Sequence, residues 1–497
     1  MTLGALSWYT ASARALEGGL ACNLTRRGLC ERVWKRALTL WKTAGEKDTT
    51  EKPMLRVPLV YCFLPSLVAS LVTPWPTAAR RARTPCLSIA DDDSGGVDDS
   101  AGLWASLRER VAALDEETEE RWRKAECTSS VCLALDDWIR RLALDQQGWP
   151  LAAIGSAQGN LYIADLSSGD IVASKLEAHP QRVSGGSSEL DMRLLHGAYD
   201  GGGLLAVAFD GTRVVSAGRD GGARLWKYAK PNAEWPKREL AEIAVLDTGG
   251  ASVSSILLTG GEAGAIWCAC LDRHLHRFEV DEQGDVECTL TLRCASSCLA
   301  LAACESQQLV VAATANGGVE CFHMADGSTR GLWQPLAFDG SRGYKGASAR
   351  AVAIATVKGR QCVVVGGSDG SLHMRYLLSE SEEEDGECFG ASQPGQALLP
   401  PHGGQCVTLT PLETGDGLLV SGAHDGSLRV WDLASEKTPQ CLYGLGGYKV
   451  WLGSVCCDGR RLISDGRDNL VVLHDFSAEA AAEAEREEQQ RDEQEEP

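Results

Sequence analysis

Two histidines and a set of cysteines are the residues in this sequence that could bind a metal ion. His274 and His276 are two residues apart, so in a strand they share one face and are placed as metal ligands can be. The sequence places no third ligand beside them, and its 19 cysteines contain no paired CxxC clusters of the kind that zinc sites use. It also lacks a P-loop, a GxGxxG after a strand, a GxSxG and an HExxH. We therefore expect no catalytic residue, no metal site and no cofactor.

Composition narrows the class of protein. Most cysteines stand in apolar runs such as VCLAL and QCVVVGG, which favours reduced thiols in a hydrophobic core and a reducing compartment. The formal net charge of −20 disfavours a nucleic-acid partner, because phosphate binding needs a cationic surface. Glycine is abundant, with 54 of 497 residues, so many tight turns are expected.

The dominant signal is an internal repeat. Residues 204–228, LLAVAFDGTRVVSAGRDGGARLWKY, superimpose without gaps on residues 452–476, LGSVCCDGRRLISDGRDNLVVLHDF. In both segments two turn aspartates lie ten residues apart: Asp210 and Asp220, then Asp458 and Asp468. Asp-Gly between apolar runs is a strong hairpin signal, because both central residues of a type I′ turn need positive φ. Each unit is predicted to be a run of strands joined by tight turns.

Five further copies follow the same template, at 156–166, 270–280, 314–324, 367–377 and 422–433. The second turn position falls on Gln158, Asp220, Asp272, Asn316, Asp369, Asp425 and Asp468. The intervals between these positions run from 43 to 62 residues. A four-stranded repeat of this type takes ~40–45 residues, and loop insertions account for the surplus. Seven such units are predicted, with these turn residues in a structural role.

The repeat resembles the WD-repeat family over residues 128–477. The best match, SGAHDGSLRVWDL, ends on Trp431, and SAGRDGGARLWKY carries Trp226 in the same place. The other copies carry Ala164, Phe278, Phe322, Arg375 and His474 there. The resemblance implies an all-β fold, a seven-bladed β-propeller of four-stranded antiparallel blades, with an open β-sandwich as the alternative. It also implies a buried hydrogen-bond network through a histidine, of which His179 and His402 are the nearest traces.

Closure of the ring is predicted from the two ends of the repeat region. After LVVLHDF, residues 470–476, no fourth strand follows, whereas SSVCLAL, residues 129–135, precedes the first full repeat. In the family that this chain resembles, the last blade borrows its outer strand from the N-terminal end. Residues 129–135 are therefore predicted to pair with 470–476. The expected domains are a leader over 1–100, a helix over 101–126, a propeller over 127–477 and a tail over 478–497.

One amphipathic helix is predicted before the propeller. Its apolar face is marked by Leu103, Leu107, Val111 and Leu114. Such a stripe is typical of a helix that packs on its own domain, and docking of a partner is the alternative. Two acidic runs are expected to be solvated and disordered. They are ESEEEDGE at 380–387, interpreted as lying between the fifth and sixth blades, and the tail 478–497.

The leader contains 37 residues, 54–90, without a single Asp or Glu. Its first half has the apolar run of a signal peptide, and its second half has the Arg, Ser and Thr content of a transit segment. Together they resemble the bipartite presequence of algae with secondary plastids, which predicts a plastid protein whose mature chain begins between about residues 70 and 100. A cytoplasmic protein is the alternative. Four prolines between 58 and 76 disfavour a stable membrane span.

The candidate partner-binding residues lie on the top face of the propeller. In the family, the residue before each turn aspartate projects there, which selects Arg219, Ser368, His424 and Arg467. Trp138 and Trp451 share one repeat position, just before the first strands of blades one and seven. Arginine and tryptophan on a rim are typical of binding hot spots, with packing between blades as the alternative for the two tryptophans.

These observations predict a non-enzymatic scaffold that binds proteins or peptides. We expect a monomer or one member of a larger complex. A substrate receptor of a ubiquitin-ligase complex is one alternative, since FLPSLVASLV is a Leu-Pro stretch ahead of a propeller. A propeller enzyme with a site in the central channel is the other.

Overall fold

The structure is a computed structural model. It describes residues 100–145, 148–180, 203–229, 239–260, 264–281, 284–336, 346–379, 387–390, 394–412, 416–435, 438–446, 448, 452–465, 469–483 and 486. The leader predicted over 1–100 lies outside the described residues apart from Ser100, and so does the presequence predicted at 54–90. Trp451, Arg467 and Asp468 also lie outside them.

A helix, α1 (Ser100–Lys124), precedes a long series of short strands. In chain order the strands are β1 (Thr128–Ala134), β2 (Ile139–Leu144), β3 (Leu151–Ser156), β4 (Leu161–Asp165), β5 (Asp170–Lys175), β6 (Leu204–Phe209), β7 (Arg213–Gly218), β8 (Ala223–Ala229), β9 (Glu239–Leu246), β10 (Val253–Leu258), β11 (Ile266–Cys270), β12 (His274–Val280), β13 (Val286–Arg293), β14 (Cys298–Cys304), β15 (Leu309–Thr314), β16 (Val319–His323), β17 (Thr329–Trp333), β18 (Ala349–Val357), β19 (Arg360–Gly367), β20 (Leu372–Tyr376), β21 (Gln396–Leu398), β22 (Cys406–Pro411), β23 (Leu418–Ala423), β24 (Leu428–Asp432), β25 (Gln440–Leu445), β26 (Val455–Cys457), β27 (Arg461–Ser464) and β28 (Leu470–Asp475).

Tight turns join these strands where they were predicted, but they are not type I′ turns, because the central residues Arg219 and Asp220 of the blade 2 turn do not have positive φ. Gly221 and Gly426, each following a turn aspartate, have φ of 78° and 74°, in the left-handed region that glycine adopts without a steric cost. The strands that follow and precede them hydrogen-bond as antiparallel neighbours, for example β7 with β8. The Asp-Gly signal in the sequence therefore marks real hairpins.

Within the described residues the strands pair into seven four-stranded antiparallel sheets. Blades 1 to 6 each use four consecutive strands, β2–β5, β6–β9, β10–β13, β14–β17, β18–β21 and β22–β25. Blade 7 combines β26, β27 and β28 with β1 as its outer strand. Strand β1 runs antiparallel to β28, from Thr128 opposite Asp475 to Ala134 opposite Leu470. The predicted closure by residues 129–135 is confirmed.

Contacts between the blades close the sheets into a ring. The innermost strands touch in the order β2, β6, β10, β14, β18, β22 and β26, and β26 touches β2 again. Seven clusters of buried apolar side chains each combine two neighbouring blades, and one of them joins blade 7 to blade 1 through Leu473 and Ile154. Burying both faces of every sheet in this way explains the nearly continuous apolar runs of the second strands. The predicted seven-bladed β-propeller is confirmed.

The antiparallel order of a blade defines two faces. We call top face the end where the innermost strand begins and where the second strand turns into the third. The bottom face is the opposite end, which holds the other two turns of each blade. An innermost strand of six residues such as β2 separates the faces by about 20 Å at ~3.3 Å per residue.

Helix α1 packs on the bottom face through Trp122, and not through Val111 and Leu114 of the predicted stripe. Trp122 is fully buried, stacks on Phe476 with ring centroids 3.6 Å apart, and donates its indole N–H to the Gly459 carbonyl oxygen at 2.9 Å. Val111 and Leu114 are instead 52% and 36% exposed. Val111 and Leu114 are therefore not the packing surface, and the side chains of Leu103 and Leu107 lie outside the described residues. Trp122 packs instead, because it offers a large apolar ring together with an indole N–H that finds a partner.

The strands next to the two acidic runs meet them at the bottom face, whereas residues 380–386, 484–485 and 487–497 of the runs lie outside the described residues. The run at 380–387 falls between β20 and β21, so it is an insertion within blade 5 and not a linker between the fifth and sixth blades. The tail follows β28, and residues 478–483 are helical where the sequence analysis expected disorder. The alanine-rich start of the tail explains this helix, since alanine has the highest helix propensity.

Candidate partner-binding face

Each turn of the top face is fixed to the start of the innermost strand of its own blade. The backbone N–H of Arg219 donates to the Gly203 carbonyl at 3.2 Å, and that of His424 donates to Gln405 at 2.9 Å. In blade 1, Ala157 donates in the same way to Trp138 at 2.8 Å. The predicted turn residues and the predicted tryptophan position therefore meet at one face.

The turn aspartates hold these turns in shape. The side-chain oxygen of Asp220 accepts the backbone N–H of Gly222 at 3.1 Å, and Asp425 accepts that of Ser427 at 3.0 Å. Asp272, Asn316 and Asp369 accept the N–H two residues onward in the same manner. This is the Asx-turn, in which the side chain replaces a backbone acceptor. These carboxylates are occupied by their own turns.

Blade 2 contains the buried histidine network that the resemblance implies. The two ring nitrogens of His179 lie 2.9 Å from the Asp220 carboxylate and 2.8 Å from the Ser216 hydroxyl. The Trp226 indole N–H donates to the same hydroxyl at 2.8 Å. Burial alone would raise the pKa of Asp220, but the hydrogen bond and charge of His179 and the hydrogen bond from Arg224 lower that pKa to about 2.

Blade 6 repeats the network with His402, Asp425, Ser421 and Trp431. The histidine lies 3.2 Å from Asp425 and 2.7 Å from the Ser421 hydroxyl, which accepts the indole N–H at 2.8 Å. Burial, with the charge of Arg429, lowers the pKa of His402, and this favours its neutral form. Blades 2 and 6 are the two whose repeats close on tryptophan.

Other residues at the tryptophan position make different contacts. His474 in blade 7 lies 2.7 Å from the Ser129 hydroxyl of the borrowed strand β1 and hydrogen-bonds Tyr448. Arg375 in blade 5 donates to the Gly390 carbonyl at 2.7 Å and lies over the Phe389 ring. The degenerate repeats thus keep the blade closed through contacts of their own.

The structure places four of the six predicted binding residues on the top face. Arg219, His424 and Trp138 are half-buried there. Ser368 accepts the backbone N–H of Ser348 on its hydroxyl at 2.9 Å, so it ties the turn to the entry of β18. Arg467 and Trp451 lie outside the described residues, and the pairing of the two tryptophans stays a prediction.

A repeated β-bulge lies at the top of the channel that the innermost strands surround. In blades 1 to 6 the register of the innermost strand shifts at its second residue. A bulge leaves that residue outside the ladder and re-aims its side chain. The residues at this position are Arg140, Leu205, Ser254, Leu299, Arg350 and Val407. Sequence reasoning missed the two arginines, although aligning the first strands of the repeats shows them at one position.

Arg141 follows the bulge of blade 1 and is locked in place. Its guanidinium donates to the carbonyl oxygens of Leu205 at 2.6 Å, Arg140 at 2.8 Å and Gly453 at 3.0 Å. These acceptors belong to blade 2, blade 1 and the entry of blade 7, so one side chain spans three neighbouring blades. We call Arg140, Arg141, Arg350 and His424 the channel mouth.

The charges of the channel mouth act on one another. Burial and the positive charge of Arg141 lower the pKa of Arg350 to about 10. Burial, followed by the charges of Arg350 and Arg141, lowers the pKa of His424, against the opposing charge of Asp425. Blades 1 and 5 are not neighbours in the ring, so this interaction crosses the channel.

One buried carboxyl faces Arg141. Asp465 accepts the backbone N–H groups of Gly453 at 2.6 Å and Ser454 at 3.2 Å. Burial raises the pKa of Asp465 to about 7, although these hydrogen bonds and the charge of Arg141 oppose the rise. The positive charge of Arg141 favours the ionised form of this carboxyl, and burial opposes it.

His274 and His276, which were considered as metal ligands, each lie within hydrogen-bond distance of a neighbouring side chain. His274 lies 2.9 Å from the Asp272 carboxylate, and His276 lies 3.1 Å from the Thr291 hydroxyl. Within the described part of the chain no group of three or more His, Cys, Asp or Glu is placed to hold a metal. The cysteines that the structure describes are free thiols, most of them buried.

The fold and the repeated turns define a β-propeller built from seven copies of one four-stranded unit. No family model matches the sequence. A segment of 62 residues is 42% identical to the Nuclear distribution protein PAC1-2 of Uncinocarpus reesii (strain UAMH 1704), a WD-repeat protein. The match covers 12% of this chain and 13% of that relative's length. The chain is a seven-bladed β-propeller whose repeats are similar to those of a WD-repeat protein. No helix among the described residues is long and apolar enough to cross a membrane.

Proposed function

We propose that this chain is a non-enzymatic scaffold that binds a protein or peptide on the top face of its propeller. The propeller fold and the WD-repeat relative support a protein-interaction role. The observation that carries the choice of face is that Arg219, His424 and Trp138 are each half-buried at the top-face end of their blade. Arginine and tryptophan at the centre of a rigid surface are the residue types that dominate binding energy.

The construction of the face suits binding. Each turn is tied to an innermost strand by a backbone hydrogen bond, and each innermost strand is fixed by buried clusters on both sides. A surface held in this way loses little conformational entropy when a partner docks.

The buried histidines His179 and His402 are placed to hold the turns in position and not to transfer a proton. Both ring nitrogens of His179 and of His402 are taken up by an aspartate and a serine of the same blade. A general base needs a nitrogen within reach of a substrate proton. These histidines therefore support the turns of a binding surface.

We also propose a plastid location, supported by the acid-free segment at 54–90. N-terminal sequencing of the protein from its source should find a mature end between about residues 70 and 100. Abundant native peptides from residues 1–53 would overturn this location.

Affinity capture from extracts of the source organism tests the binding role. The variant Arg219→Glu with Trp138→Ala should lose about tenfold or more of the captured partner, since hot-spot changes cost at least ~1.4 kcal/mol. Lys358→Glu is the matched control, because Lys358 is exposed in a turn of the bottom face. Equal capture by all three proteins would overturn the top-face proposal.

A further inference from the structure

Cys288 is the one exposed cysteine among the residues that the structure describes, whereas the other described cysteines are buried or half-buried. It belongs to β13, the outermost strand of blade 3, which pairs with β12. A thiol reacts as its thiolate, so an exposed cysteine becomes reactive near neutral pH when a neighbouring group takes up its proton. The surroundings of Cys288 contain such a group.

A β-bulge brings Cys288 next to a histidine of the neighbouring strand. In the pairing of β13 with β12, Thr289 is an extra residue with no partner opposite it. Residues 288 and 291 of a regular strand would lie on opposite faces, because successive side chains alternate. The bulge interrupts this alternation and places Cys288 and Thr291 on one face of the blade, beside His276.

The hydroxyl of Thr291 lies between the thiol and the imidazole. Its Oγ1 is 3.5 Å from the Sγ of Cys288 and 3.1 Å from Nδ1 of His276. The Sγ and the same Nδ1 are 4.0 Å apart. The thiol also lies 3.6 Å from the Leu290 carbonyl oxygen, which accepts a hydrogen bond but does not take up a proton. The thiol proton can therefore pass to Nδ1 directly or through the hydroxyl, which both donates and accepts hydrogen bonds.

His276 is held in the form that accepts a proton. The residue is only 9% exposed, and burial is the main reason why its pKa lies below the ordinary 6.5, so the neutral imidazole is favoured at pH 7. The charges of Asp272 and Asp247 oppose this shift of the pKa, and that of His274 adds to it. Nε2 of His276 is buried and has no hydrogen-bond partner among the described residues. An unpaired buried nitrogen costs stability, so packing alone does not explain a histidine whose Nδ1 faces Cys288.

We propose that Cys288 is a modification site for low-molecular-weight disulfides, with His276 as the base that takes up the thiol proton. The Cys288 sulfur attacks one sulfur of the disulfide and forms a mixed disulfide as the original sulfur–sulfur bond breaks. The departing thiolate receives the proton that Cys288 gave to His276, so the protein sulfur is oxidised and the departing sulfur is reduced. The site lies at the outer edge of blade 3 and does not depend on the proposed top-face function.

The rate of modification in the folded chain tests this proposal. The full chain is treated with bis(2-hydroxyethyl) disulfide, an uncharged probe, and the modified cysteines are quantified by mass spectrometry of their peptides over time. The reference is a synthetic peptide of residues 284–293, which contains the Cys288 thiol but lacks His276. At pH 6.5 only about 1% of a free thiol of pKa ~8.5 is ionised, so Cys288 should react at least tenfold faster in the folded chain than in the peptide. At pH 9 this difference should shrink, because the thiol then ionises without a base. An equal or slower reaction in the folded chain at pH 6.5 would overturn the proposal.

Two pairs of variants assign the roles of the neighbours. His276→Gln should slow the reaction of Cys288 at least tenfold at pH 6.5 and have little effect at pH 9. His274→Gln, at a partly exposed position of the same strand, should leave both rates unchanged. Thr291→Val should also slow the reaction at pH 6.5, whereas Thr289→Val at the bulge should not. An unchanged rate in His276→Gln, or a loss of equal size at both pH values, would overturn the role of His276. The comparison with the synthetic peptide needs no variant and decides the proposal if His276→Gln does not fold.

Discussion

The top and bottom faces of the propeller differ in how their large side chains are held. On the bottom face, Trp122 is fully buried against Phe476 and its indole N–H is satisfied. On the top face, Trp138 stays half-buried beside the half-buried Arg140. The first arrangement stabilises the ring, whereas the second belongs to the face that we propose binds a partner. Substitutions on the two faces should therefore separate stability from binding.

Removal of the borrowed strand should have the largest effect. Deleting residues 1–135 removes β1 and Trp122 and leaves β28 as an open edge, which invites aggregation. We expect an insoluble product, whereas deletion of 1–100 should leave a soluble propeller. Size-exclusion chromatography and circular dichroism of the two proteins check this. A soluble, folded product from the longer deletion would show that closure does not depend on β1.

Loss of the bottom-face tryptophan should come next. Trp122→Ala should lower the free energy of unfolding by about 3–5 kcal/mol, because it empties a fully buried site. Val111→Ala on the same helix is the control, and its exposed side chain should change stability by less than about 0.5 kcal/mol. Urea denaturation of both variants measures the difference. Similar values for the two would mean that α1 contributes little to the fold.

The serine at the centre of the blade 2 network should have a smaller effect. Ser216→Ala removes the partner of both His179 and Trp226, leaving buried polar groups unsatisfied at a cost of about 1–3 kcal/mol. Ser371→Ala, which loses a bond to Asp369 in a partly exposed turn, should cost less than about 1 kcal/mol. Denaturation of the two variants decides whether the network or the turn stabilises a blade.

The same network should make the free energy of unfolding depend on pH in the acid range. The pKa of Asp220 in the folded protein is about 2, below its ordinary 3.8, so its stabilisation is present above pH 4. That stabilisation should be lost as the pH falls from about 4 to 2. The difference in unfolding free energy between the natural protein and Asp220→Asn should shrink over this range. A constant difference would mean that the carboxylate charge does not stabilise the turn.

The repeat made the fold predictable, since Asp-Gly turns recur with a strand on either side and residues 129–135 supply the missing strand. The helix was placed well, but its packing surface was not, because periodicity ranks an aliphatic stripe above the single residue Trp122. The network in blades 2 and 6 follows from their tryptophans, whereas the contacts of His474 and Arg375 depend on neighbours far along the chain. The interaction between the arginines of the channel mouth could not be predicted from the sequence. Only the closed ring brings blades 1 and 5 to opposite sides of one channel.

The central claim is that partners bind the top face, and hydrogen exchange tests it most directly. The exchange of backbone amides is measured by mass spectrometry for the free chain and for the chain with its captured partner bound. The account predicts slower exchange in the turns around Arg219, Ser368 and His424 and no change around Gly459 or in α1. Protection confined to α1 or to the bottom face, with the top-face turns unchanged, would contradict it.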